Sequence, residues 1–121
     1  DGVTAHLMQV RGDGQQQVRA GFLVGCDGAD SLVRNFLDLD LEDEIAVAFG
    51  RGRVILAGDA AHPMPPASQE GLALGVADAL HLAMSLAECD AEAGDLAPLQ
   101  GYAQERRDAA RLLRSGNPSD R

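Results

Sequence analysis

The sequence predicts an α/β fold, and three observations carry that prediction. Two short, almost wholly apolar runs, residues 20–26 and 53–57, have the character of parallel strands buried on both faces, not of alternating half-solvated strands. Each run closes at an acid–glycine corner, Asp27-Gly28 and Gly58-Asp59, and each corner leads into a helical pattern. Strand, corner and helix in that order is the repeating unit of a layered α/β core.

The elements follow in order. Residues 3–10 and 15–24 alternate loosely in apolar and β-branched side chains around Arg11-Gly12-Asp13-Gly14, which predicts a hairpin with an Asp-Gly turn. The Arg-Gly-Asp triplet also spells an adhesion tripeptide, but a tight turn accounts for it. After the first corner, Asp30 or Ser31 can cap a short helix over 32–37. After the second comes a Pro-rich loop and then a long helix over 71–86. Its residues are small or apolar on nearly every side, so burial on most sides is expected. The last helix, 97–113, gathers Leu99, Tyr102, Ala103, Arg106, Ala109, Ala110 and Leu113 on one stripe, and 115–121 reads as a frayed tail.

Composition bounds the partners. With 121 residues there is room for one core, and 45% hydrophobic with 24% charged residues is globular composition. A net charge of −9 repels polyanions, which argues against nucleic acid. The acidic runs at 38–44 and 88–95 read as solvated connections. Cys26 and Cys89 have neither disulfide-framework nor zinc spacing, which suits a reducing cytoplasm. No uninterrupted apolar run reaches the ~18 residues of a membrane span, so a soluble chain is expected. His62 reads as a structural hydrogen-bonding residue, and Asp78 as a buried carboxylate bonded to neighbouring backbone groups. No residue is nominated as catalytic or as a metal ligand.

The corners carry the chemistry. In open α/β sheets ligands sit beyond the carboxyl ends of the strands, where both corners fall. A carboxylate there accepts hydrogen bonds from sugar-like hydroxyls, and an adjacent glycine admits close approach of a ligand. The long helix would turn its N-terminal N–H groups toward the same place, favouring an anionic or electron-rich ligand edge.

The run Gly21-Phe22-Leu23-Val24-Gly25-Cys26-Asp27-Gly28-Ala29-Asp30-Ser31-Leu32-Val33-Arg34 resembles the Asp-Gly motif of the FAD-dependent monooxygenases, the single-component, p-hydroxybenzoate hydroxylase-like flavoproteins. Gly52-Arg53-Val54-Ile55-Leu56-Ala57-Gly58-Asp59-Ala60-Ala61-His62-Pro63-Met64-Pro65-Pro66 is similar to that family's Gly-Asp motif, and residues 71–107 to its two following helices. The resemblance implies part of a Rossmann-like FAD-binding domain with a preceding β-hairpin or meander. It implies FAD as cofactor, NAD(P)H as transient co-substrate and a small aromatic substrate. Asp59 would hold the ribityl hydroxyls, beside Gly58. Asp27 and Gly28 would lie near the pyrophosphate and the approach of the nicotinamide nucleotide. Arg34 would brace that loop or meet phosphates, and Pro65, Pro66, Gly71 and Leu72 would border the flavin ring.

The sequence also departs from the family. No G-x-G-x-x-G is present, so the first βαβ unit is missing, and the sixteen residues from Asn35 to Gly50 are too few for the substrate-covering sheet domain. Gln69-Glu70-Gly71-Leu72-Ala73 stands where the family has Gly-Gln-Gly, an apolar residue and Asn. Gln69 takes positive φ less readily than glycine, and Glu70 could set a charge beside a reduced flavin. The expected organisation is a partial FAD-binding domain over 1–114, with 35–50 a shortened connection. The alternative expectation is a non-catalytic interaction or accessory module, its apolar rim covered by self-association or another chain.

Overall fold

The computed structural model describes residues 2–65 and 68–116. The hairpin forms from β1 (Val3–Met8) and β2 (Gln15–Ala20), antiparallel in the register Val3↔Ala20 to Met8↔Gln15. It ends sooner than the sequence suggests, because the chain breaks at Gly21-Phe22 before β3 (Leu23–Gly25). β2 is exposed along its whole length, so the hairpin projects from the molecule and is not part of its core.

β3 pairs in parallel with β7 (Val54–Leu56), Gly25 opposite Leu56, and β7 pairs antiparallel with β6 (Gly50–Arg51). β3 is thus an edge strand. With one neighbouring strand among the described residues, Leu23 and Val24 are half-buried, where the sequence predicts burial on both faces. Between β3 and β6 lie α1 (Leu32–Phe36) and a two-strand ribbon, β4 (Leu41–Glu42) and β5 (Ile45–Ala46).

That ribbon corrects the expectation of a plain solvated connection. Asp43 and Glu44 both adopt positive φ, 53° and 61°, which closes a two-residue turn. The acids are exposed as expected, but Leu37, Leu39, Ile45, Ala46 and Phe49, among and around them, belong to the core. The connection is a structural element in its own right.

α2 (Gln69–Glu88) and α3 (Ala97–Gly116) pack against one another and complete the core. α2 starts at Gln69, two residues earlier than expected, because Ser68 caps it by accepting the Gly71 N–H at 3.0 Å. Gln69 therefore needs no positive φ. α3 runs to Gly116, so the first two residues of the expected tail are helical, while 117–121 lie outside the described residues.

Burial of α2 differs from the expectation. Only Gly71, Leu74, Asp78, Leu82 and Ser85 are buried, one stripe at helical spacing. Leu72, Val76, Leu80 and Met84, four apart, remain 72%, 60%, 66% and 59% exposed. The side chains suit burial all round, but the described residues supply partners for one side alone. α2 is also the one described helix that by length and composition is apolar enough to cross a membrane, with a mean hydropathy of 1.2. The absence of a long uninterrupted run did not disclose this. A buried Asp78 paired with an arginine across the helix interface is the pattern of a core helix.

Candidate functional site

The first corner is held by its own helix. Asp27 accepts the Ser31 hydroxyl on Oδ1, and on Oδ2 the N–H groups of Leu32 at 2.8 Å and Val33 at 3.2 Å. Ser31, fully buried, in turn caps α1 by accepting the Arg34 N–H at 3.0 Å. The slight burial of Asp27 pushes its carboxyl up, but the Ser31 hydroxyl and the backbone donors outweigh this and hold it below the usual carboxylate range. Asp27 is already engaged as an anchor for the start of α1.

Asp59 is arranged differently. It lies in a single 3-10 turn, Gly58–Ala60, directly after β7, half-buried, and its carboxylate accepts no hydrogen bond from any described residue. Gly58 has φ 67° and Gly28 has φ 85°, the left-handed region that favours glycine. A Cβ built at either would meet nothing within 4 Å. Both corners therefore have open space beside the backbone and one unengaged carboxylate between them, which is the fit a polyol-bearing nucleotide requires.

Arg34 ties the corners together. Its guanidinium is buried and donates to the Ala29 carbonyl at 2.8 Å on the first loop and to the Ala60 carbonyl at 2.9 Å on the second. The ladder continues past β7, with Ala57 N–H donating to the Gly25 carbonyl at 3.1 Å. The two corners sit side by side at the carboxyl edge of adjacent parallel strands. Arg34 thus braces the two loops with one bond from each terminal nitrogen.

The start of α2 stands against the second corner. A Cβ on Gly75 would lie 3.8 Å from the Gly58 Cα. Gly71 is buried, and a Cβ there would come 2.8 Å from Met64 Cβ, so glycine is required for the loop to cross the helix. Pro65 is exposed, and so is Leu72, whose side chain points to the surface. Pro66, also expected at the ring edge, lies outside the described residues. Glu70 is exposed and borders the groove between α2 and α3, beside Ala73, Ala77 and Arg106.

Beneath the second corner is a buried polar cluster. Asp78 Oδ2 accepts the Gly58 N–H at 3.0 Å and bonds His62 Nε2, while Oδ1 accepts Arg106 Nε at 2.7 Å. Of these partners only Gly58 is a backbone group. Two side chains, His62 and Arg106, complete a set for which the sequence predicts backbone partners. Burial pushes the Asp78 carboxyl up, but the bonds from His62 and Arg106 outweigh it and hold it below the usual range. Next to it, Tyr102 is fully buried and donates to the Leu56 carbonyl at 2.7 Å, and burial pushes its hydroxyl pKa up.

Two parallel strands whose glycine corners lie side by side at the carboxyl edge, with a long helix beginning beside them, form the arrangement of a nucleotide-binding α/β unit. The chain belongs to the FAD binding domain family, which it matches over residues 1–48 and 35–115, and FAD is the cofactor that membership indicates. It is similar to a 3-(3-hydroxy-phenyl)propionate/3-hydroxycinnamic acid hydroxylase of Mycobacterium sp. (strain JLS), 49% identical over 70 residues, covering 57% of this chain and 12% of that protein. The same hydroxylase of Klebsiella pneumoniae subsp. pneumoniae is 46% identical over 70 residues, with the same coverage. A rifampicin monooxygenase of Rhodococcus hoagii is 48% identical over 69 residues, covering 54% of this chain and 14% of that protein. The aligned part is thus about one-eighth of the length of these relatives.

Proposed function

We propose that this chain is the ribityl- and ring-holding portion of an FAD- and NAD(P)H-dependent hydroxylase of a small aromatic substrate, not competent for turnover by itself. The observation that carries the reading is Asp59: an unengaged carboxylate on a left-handed glycine turn, beside a second open glycine corner, at the carboxyl edge of parallel strands. Supporting it, the family match falls in two overlapping stretches, as expected of a chain shortened between its two corners. The relatives' names supply the class of reaction.

Asp59 would accept the ribityl hydroxyls, while Gly28 and Gly58 leave room for the chain that bears them. Asp27 and Arg34 would act by holding the corners in place, and Pro65, Pro66, Gly71 and Leu72 would border the ring as the resemblance implies. Bound FAD would supply the redox and oxygen chemistry. Glu70 borders the groove between α2 and α3, a place from which it would not oppose a reduced ring. With Cys26 and Cys89 both free, a reducing cytoplasmic setting is part of the proposal.

The exposed α2 stripe favours a second reading, an interaction module whose apolar face another segment or chain covers. Visible absorbance during FAD titration separates the two. The flavin reading expects saturable binding that Asp59→Ala weakens by roughly 10- to 100-fold, the loss of charge-assisted hydrogen bonds of about 1.5–3 kcal/mol. A colourless protein indifferent to FAD would instead favour the module.

A further inference from the structure

We propose that Asp78 is a positioning residue for the cofactor corner: touching no ligand itself, it holds the Gly58–Ala60 turn in the conformation that presents Asp59. The inference rests on the flavin reading of that corner. One oxygen, Asp78 Oδ2, takes both the N–H of Gly58, before Asp59, and the ring Nε2 of His62, after it. The turn is therefore pinned on each side of Asp59 from a helix that begins ten residues further along the chain. Within the turn, the Gly58 carbonyl accepts the N–H groups of Ala61 at 2.9 Å and His62 at 3.1 Å, so the pinned ends also close on one another.

An ionised carboxylate is the group this arrangement needs. Asp78 is 0% exposed and faces three donors, from Gly58, His62 and Arg106, which only an acceptor-only side chain satisfies together. An amide at this position would turn a donor toward at least one of them. Because Asp78 only accepts, His62 meets it as an Nε2–H donor, and His62 Nδ1 is buried with no partner among the described residues. A network of this kind, satisfied at its carboxylate, selects one geometry. Through Arg106 it also joins α3 to the corner, although the described hydrogen bonds include none from α3 to the turn itself.

The test uses the ¹⁵N-labelled 121-residue chain, with amide hydrogen exchange at Gly58 and Ala61 read without cofactor and FAD affinity read separately. Asp78→Asn is expected to speed exchange at those amides at least ~10-fold and weaken FAD by a similar factor. Leu99→Ala, a core change on α3 compared at equal distance below its own melting temperature, should leave both within about threefold. If Asp78→Asn does not fold, the pair Asp78→Asn with Arg106→Gln, which removes the stranded cation, takes its place with the same expectation. Corner exchange that follows global stability equally in both variants would overturn the proposal. A wild-type chain that ignores FAD while Asp78→Asn still loosens the corner would sink the flavin reading and leave the positioning role standing.

Discussion

The two corner aspartates look equivalent in sequence, each beside a glycine at the end of an apolar run, yet they do different work. Asp27 is consumed by the Ser31 hydroxyl and two α1 N–H groups, whereas Asp59 has no such partner among the described residues. Arg34 explains why the corners stay together, since its buried guanidinium serves a carbonyl on each. Arg34→Met should therefore lower stability by about 2–3 kcal/mol in urea denaturation, because charged-donor bonds are lost and two carbonyls are left unpaired. An unchanged midpoint would show that the brace is dispensable. Asp78 gives a pH dependence with a definite sign. Its folded carboxyl sits below the ordinary value, so its contribution is present above the unfolded pKa of ~3.9 and is lost as pH falls through the folded value. Urea midpoints measured from pH 7 downward should fall more steeply below about pH 4 for wild type than for Asp78→Asn. Parallel curves would contradict this.

At the scale of elements, the helix starts are explained by single residues. Ser68 accepts the Gly71 N–H, and Ser68→Ala should cost about 1 kcal/mol by thermal or urea unfolding. The outer stripe of α2 makes the opposite prediction. Val76→Gln or Leu80→Gln should move stability by no more than ~0.5 kcal/mol, since both side chains already face solvent. A loss of 2 kcal/mol or more would mean the stripe is covered in solution. The β1–β2 hairpin should exchange its amides faster than β3 and β7, since a hairpin that no other described element covers is only marginally stable.

These elements also show what was legible in the sequence. Strand–corner–helix order was readable because apolar runs and Gly-Asp chemistry are local signals; that 23–25 pairs with 54–56 in parallel is what the structure adds. The β4–β5 ribbon was not, because its turn uses Asp43 and Glu44 at positive φ, where glycine or asparagine would have announced it. The partial exposure of α2 was hidden because periodicity reports what a helix can bury, not which neighbours exist. The partners of Asp78 leave one trace in the sequence: Arg106 lies on an otherwise apolar stripe of α3, and Asp78 lies in an apolar helix. A lone cation and a lone anion on facing apolar surfaces imply each other.

At the scale of the molecule, two parallel strands, one brace and one helix bring two distant corners side by side, while the hairpin and the outer face of α2 stand clear of the core. A nucleotide bound across that edge would therefore be felt at both corners at once. The direct measurement is a titration of the ¹⁵N-labelled chain with FAD, following backbone amide shifts. Concerted, saturable changes are expected at Cys26 to Ala29, at Gly58 to Ala60 and in the first turn of α2, with β1 and β2 silent. Changes confined to one corner, or centred on the hairpin, would contradict it.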